Sequence, residues 1–270
     1  MAQGLLDHAQ VHPAAHHLRG ACVSQYVECH LAGVESRRWE ARSEGPEDDE
    51  TLKAIMAWST GKDSALALHR VLETGTYELN SLLTTVGADF DRVSMHGVRR
   101  ELAVRQADAL GLDLMAIELP STCTQETYNE IMLGALKQAR SEDLTAVVFG
   151  DLFLEDIRAY RERQLAGIGM EAVFPLWGTN TRELAEDMID TGVRALVTCV
   201  DTEQLDGSFL GLQYDREFLE GLPAGVDPCG ENGEFHTFCW SSPDFRNPVD
   251  FNPGETVLRE DRFRFLDLLP

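Results

Sequence analysis

Mixed chemistry is concentrated at Ser59-Thr60-Gly61-Lys62-Asp63-Ser64, directly after the apolar run Ala54-Ile55-Met56-Ala57-Trp58. Hydroxyls, an ammonium and a carboxylate around a glycine suit a phosphate cradle. Gly61 lets the backbone approach an anion, Ser59 and Ser64 offer hydroxyl donors, and Lys62 brings positive charge to a helix start. Asp63 suits either the cap of that helix or a magnesium ion. The same residues also fit an ordinary serine-capped turn from strand to helix.

A second cluster lies at Gly225 to Phe238, where Asp227, Glu231, Glu234 and His236 crowd acid-base groups together. Pro228, Gly230 and Asn232-Gly233 set tight turns. A hairpin turn explains the glycines and Asn232, but not so many titratable groups beside Cys229 and aromatic rings. Between the clusters, the apolar run Ala146-Val147-Val148-Phe149 ends in Gly150-Asp151. Gly150 permits close ligand approach, and Asp151 adds a carboxylate. Arg158 and Arg161 share a helix face, either as a clamp for a carboxylate or phosphate or as an ion-pair lattice with Glu155 and Glu162. His96, in Met95-His96-Gly97, is either a packed ring or a working group.

The loop does not fit the spacing G-x-x-x-x-G-K-[ST]. It resembles the pyrophosphate loop S-G-G-K-D-S of ATP pyrophosphatases, with Thr60 in place of the first glycine. Left-handed geometry at position 60 would be costly for a β-branched residue, so the expectation is a cradle that forms if only Gly61 needs unusual backbone angles. Taken in order, S-x-G-K-D-S, M-H-G, G-D-x-x-x-E-D-x-R, P-L-W and the Asp227 to His236 motif are similar to the diphthine-ammonia ligase family. The resemblance runs from Lys53 to Phe245 and fades in the tail.

That resemblance implies an AMP-forming amidoligase: a substrate carboxylate attacks the α-phosphorus of ATP, pyrophosphate leaves, and ammonia displaces AMP. It implies that Ser59, Thr60, Gly61, Lys62, Asp63 and Ser64 bind ATP, with Thr85, His96, Gly150 and Asp151 around the nucleotide and magnesium on Asp63 and Asp151. Arg158, Arg161, Asp227, Cys229 and Asn232 would face the acceptor, which in the family is diphthine on elongation factor 2. Lys62, Glu231, Glu234 and His236 would do the chemistry. Glu231 and Glu234 would bind ammonium, and one of them or His236 would take its proton. Three rivals share the loop chemistry: a non-catalytic ATP-binding regulator, a stand-alone ATP hydrolase and a sulfur-transferring tRNA enzyme. Paired cysteines and a basic surface, expected of the last, are missing from this sequence.

Those residues need a scaffold, and the 270 residues, 43% apolar, are enough for one sizeable core or two modest ones. The formal charge of -23, with lysine only at positions 53, 62 and 137, argues against direct nucleic-acid binding. No apolar run is long enough to span a membrane and no signal pattern opens the chain, so a cytoplasmic address is expected. Cys22, Cys29, Cys123, Cys199, Cys229 and Cys239 form no metal-type pair.

Residues 1–50 hold five of the eight histidines and end in an acidic run, which reads as a solvated, disordered extension. A chain starting near Thr51 would fit the same boundary. From there, short apolar runs alternate with helical stretches, the pattern of a doubly wound parallel sheet of the pyrophosphate-loop ATPase type. An ATP-binding domain is expected over 51–177 and a smaller α+β substrate lobe over 178–270. Strands are expected at Ala54–Trp58, Leu79–Val86, Leu114–Leu119, Ala172–Phe174 and Ala195–Val200, with short tail strands at Val249–Phe251, Thr256–Leu258 and Phe263–Leu266. Backbone groups of Thr84, Thr85 and Val86 are expected to line an adenine pocket.

Overall fold

The computed structural model describes residues 51–270. The expected 1–50 extension, with Cys22 and Cys29, lies outside the described residues. Strand β1 (Leu52–Ala57) is apolar along both faces, and its side chains alternate between two cores. Ala54 and Met56 join one cluster and Ile55 the other. In β5 (Ala146–Val148) the ends face the first cluster and Val147 the second. Strands buried on both faces are the mark of a parallel sheet covered by helices on each side.

Such a sheet forms here. Strand β1 pairs in parallel with β2 (Tyr77–Gly87) and β5, β2 with β4 (Asp113–Leu119), and β5 with β6 (Glu171–Val173). The parallel strands lie in the order β4-β2-β1-β5-β6, and a two-residue strand β3 (Arg92–Val93) folds back on the end of β2. Helices α1 (Lys62–Thr74) and α2 (Arg100–Leu110) pack on one face, while α3 (Gln125–Ser141) and α4 (Glu155–Ala166) pack on the other. The strand order reverses beside β1, so the loop after β1 and the turn after β5 border the crevice where doubly wound sheets bind ligands.

The second sheet is antiparallel, in the order β8-β7-β10-β9. Its strands are β7 (Arg194–Asp201), β8 (Phe235–Ser241), β9 (Asn252–Arg259) and β10 (Phe263–Leu269). Helices α5 (Thr181–Thr191) and α6 (Arg216–Gly221) accompany it. Strand β9 is an edge and contains Pro253 and Gly254, residues that a central strand would not tolerate. One buried cluster joins α1 and α2 to this sheet, running from Ala54 and Leu102 through Leu184 to Phe235, Phe238 and Leu268.

One expected strand needs correction, and two further features were open. Val249–Phe251 is not a strand, because Val249 only bonds to Trp240 while β9 starts at Asn252. Strand β3 was unforeseen, being too short to show a period. The Gly225 to Glu234 stretch is a turn-rich loop entering β8, whose antiparallel partner β7 ended at Asp201, so the hairpin alternative does not apply.

Candidate functional site

Helix α1 begins at Lys62 with Gly61 as its cap residue, which offers no side-chain acceptor. Helix starts without such acceptors keep donors for anions. Within the loop Ser59 Oγ donates to Ser64 Oγ (3.1 Å), and Ser64 Oγ lies 2.9 Å from the Gly61 carbonyl. The amide of Lys62 donates to Thr237 Oγ1 of β8 at 3.2 Å. Strand β8 thus forms the floor on which the loop rests.

The backbone angles reverse the expectation. Thr60 adopts φ 71°, whereas Gly61 is extended at φ -92°, ψ 175°. A β-branched residue there is strained and must be held by its surroundings. The Thr60 carbonyl accepts two hydrogen bonds, from Gln106 Nε2 (3.0 Å) and from the Cys239 amide of β8 (2.8 Å). Gln106, fully buried on α2, also donates to the Cys239 carbonyl (2.6 Å) and accepts from Trp58 Nε1 (2.8 Å). Sequence reading missed Gln106; a buried amide inside an otherwise apolar helix face was the available signal. Gly61 has its own constraint, since a Cβ there would lie 3.3 Å from the Thr237 carbonyl.

Lys62 is 2% exposed, and its ammonium reaches under the second cluster. It donates to the Cys229 carbonyl, pairs with Asp63 Oδ2 at 2.9 Å, and sits 5.2 and 5.3 Å from the ring centres of Tyr214 and Phe235. Burial works against its charge, yet the Asp63 carboxylate beside it leaves its pKa above the ordinary value.

The acidic motif divides into scaffold and reaching arm. Asp227 accepts from the amides of Cys229 (3.2 Å) and Glu231 (3.0 Å), while Glu234 Oε1 accepts from the Asp227 amide (2.9 Å) and Asn232 Nδ2 (3.1 Å). These bonds close the loop upon itself. The other Glu234 oxygen, Oε2, is buried without a hydrogen-bond partner. Cys229 is buried with its thiol on the Thr181 carbonyl, and burial pushes its pKa up, so its carbonyl and not its sulfur meets Lys62.

Glu231 crosses to the first sheet, accepting from the Leu152 amide at 2.9 Å. Burial first, then the charge of Asp63 and also that of Asp151, push its pKa to about 8. His236 and His96 lie ring to ring, centroids 4.6 Å apart. Burial and then the Lys62 charge hold His236 down to about 4, and burial with the facing His236 holds His96 well below the usual range.

The remaining residues are placed less directly. A Cβ on Gly150 would come within 3.0 Å of the Asp63 carbonyl carbon and the Ser64 amide, so its smallness lets the turn after β5 fit against the start of α1. Asp151 pairs with Arg161 Nε at 2.9 Å. Arg161 also stacks on Phe149, and Arg158 pairs with Glu162 (2.8 Å) while lying over Trp177 and Phe174. The Thr85 carbonyl accepts from the Ser94 amide (2.9 Å), which ties the end of β2 to the loop bearing His96.

As for magnesium, among the described residues no group of three or more His, Cys, Asp or Glu side chains could hold a metal by itself. Asp63 and Asp151 each face a cation instead. Magnesium commonly takes one or two carboxylates plus substrate phosphates, and the acids around Glu231 fit that use better than a closed cage.

Comparison with known proteins gives a consistent result. The family model for the diphthamide synthase N-terminal domain matches residues 52–172, and that for the diphthamide synthase C-terminal domain matches residues 180–264. The diphthine-ammonia ligase of Homo sapiens is 24% identical over 211 residues, covering 73% of this chain and 78% of that protein. That of Danio rerio is 24% identical over 238 residues, covering 78% and 90%. Among solved structures, a U34-tRNA thiolase from Methanococcus maripaludis with its [4Fe-4S] cluster aligns at 16% identity and TM-score 0.33, covering 52% of this chain and 56% of that one.

Proposed function

This chain belongs to the diphthamide synthase family, and from that premise we propose that it is an ATP-dependent amidoligase, joining ammonia to a substrate carboxylate with release of AMP and pyrophosphate. The observation that carries the reading is Glu231. A carboxylate from the second cluster lies bonded to Leu152 beside the phosphate-type loop, within electrostatic reach of Asp63, Asp151 and Lys62. The two halves of the motif set therefore meet at one crevice.

In this reading the loop at residues 59–64 and the start of α1 hold the leaving pyrophosphate, where negative charge accumulates. Lys62 contributes positive potential from beneath while fixing the Cys229 carbonyl. Magnesium, when bound with the nucleotide, would neutralise phosphate charge from Asp63 and Asp151. With its pKa near 8, Glu231 favours a cation such as ammonium in place of its proton. Once such a cation binds, the carboxylate is ionised and able to accept a proton from ammonium. His236, kept neutral, is a second acceptor. Holding carboxylate and nucleotide in line supplies about 7 to 11 kcal/mol of the barrier reduction. The diphthine carboxylate is the acceptor that the relatives' names supply.

Glu231→Gln tests the assignment, because it keeps shape and removes charge. ATP affinity measured by calorimetry should change no more than a few fold, and amide formation should fall by about two orders of magnitude. Unchanged amide formation would sink the role given to Glu231. Changing Glu234 as well is uninformative, since Glu234 holds Asp227 and Asn232.

A further inference from the structure

The loop bearing His96 is built against the last strand of the chain, in a segment beyond the residues matched by the family model, which end at 264. Register places His236 of β8 opposite Cys199 of β7, and Cys199 opposite Phe265 of β10. Directly opposed residues point to one face of a sheet, so His236, Cys199 and Phe265 form a row across three strands. The Met95-His96-Gly97 loop lies on that row at two points. His96 lies against His236 with the rings tilted by 46°, and Gly97 touches Phe265 so closely that a Cβ would stand 3.0 Å from its ring.

Two residues farther along β10, Asp267 takes hold of the same loop. Arg92 Nη1 donates to Asp267 Oδ1 (2.7 Å) and to the Gly97 carbonyl (2.8 Å). Arg99 makes a fork onto both Asp267 oxygens, at 3.1 and 2.6 Å. Asp267 thus ties together the two arginines that flank Met95-His96-Gly97 in sequence. The loop needs this support, because Met95 and Gly97 both adopt φ 69° and Met95 gains nothing from burial. The Arg99 and Arg92 bonds also hold the Asp267 carboxyl well below the usual carboxylate range, as expected of a permanently charged clamp.

We propose that Asp267, through Arg92 and Arg99 and with Phe265 as a stop, is a positioning residue that fixes His96 against His236 at the crevice. This rests on the reading of the two histidines as site residues.

The test is Asp267→Asn, read by proton NMR of the histidine C2 protons without nucleotide and by AMP release with ATP, magnesium, ammonium and a diphthine-bearing acceptor. His96→Gln assigns the signals and shows where His236 resonates without its ring neighbour. In Asp267→Asn the His236 signal should move toward that position, and AMP release should fall about tenfold with the ATP KM changed less than kcat. Asp267→Glu should restore much of both. The double variant with His96→Gln should be no slower than His96→Gln alone. Should Asp267→Asn melt too low to study, Arg92→Gln cuts the tie to Gly97 and should give the same signature. Wild-type signals and turnover in Asp267→Asn, or effects that multiply in the double variant, would overturn the inference. A wild-type protein that releases no AMP would count against the amidoligase reading alone, and the ring signals would still decide the positioning role.

Discussion

At the Lys62 ammonium an acid, a carbonyl and two rings converge, and only the acid is its neighbour in sequence. Lys62→Met should therefore do more than stop turnover. Removing one partner of a buried charge pair costs about 3 kcal/mol, which for this size of chain is roughly 6–12 °C of melting midpoint. Calorimetric melting checks it; a variant that loses AMP release but melts like wild type would show that the ammonium serves substrate alone. Glu231 makes a pH prediction. Its folded pKa of about 8 exceeds the unfolded value near 4.5, so the folded state binds the extra proton between those limits. Stability of the nucleotide-free protein should fall as pH rises from about 5 to 8, by roughly 2–4 kcal/mol from this group. Glu231→Gln should flatten that slope and melt higher than wild type at pH 8. An unchanged slope would mean Glu231 is ionised throughout. The identity of the acid-base groups was legible from sequence because they are clustered in it. Their division into scaffold (Asp227, Asn232, Glu234) and arm (Glu231) was not, since all four look alike until their partners are known.

Among elements, the loop after β1 shows how far a local pattern reaches. A strand, a small-residue loop and a helix follow from residues 52–74 alone, but the strain at Thr60 does not, because its anchors lie on α2 and β8. A left-handed β-branched residue costs about 1–2 kcal/mol, and glycine's greater freedom in the unfolded chain costs about 0.5–1 kcal/mol. Thr60→Gly should accordingly stay within about 1 kcal/mol of wild type in chemical denaturation, despite the lost burial, because the threonine hydroxyl has no partner either. A loss of several kcal/mol would show that packing of its methyl outweighs strain. Gln106→Leu goes the other way. It strips the Trp58 indole of its acceptor and the Thr60 carbonyl of a donor, which should cost about 2 kcal/mol and raise the ATP KM several fold. Steady-state kinetics beside denaturation would separate the two effects, and an unaltered KM would mean the Cys239 amide suffices to hold the loop.

Over the whole molecule, the sequence suggests two units meeting near residue 178, whereas the buried cluster runs without a break from Leu66 and Leu102 to Phe238 and Leu268. Division into 51–177 and 178–270 is expected to leave each piece with an exposed half-core. Expressed separately, the pieces should be poorly folded by circular dichroism and proton NMR, and recover only together; independent cooperative melting of either would show that it folds as its own unit. The parallel sheet was readable from alternating runs, while its strand order and the contact of the tail with the front of the molecule were not, because β9 and β10 carry little apolar periodicity. The amidoligase reading itself stands or falls on what becomes of ATP. Incubation with ATP, magnesium, ammonium and a diphthine-bearing acceptor should yield AMP, pyrophosphate and amide in equal amounts by mass spectrometry and nucleotide chromatography. ADP and phosphate as the main products, or AMP formed without any dependence on acceptor or ammonium, would contradict it.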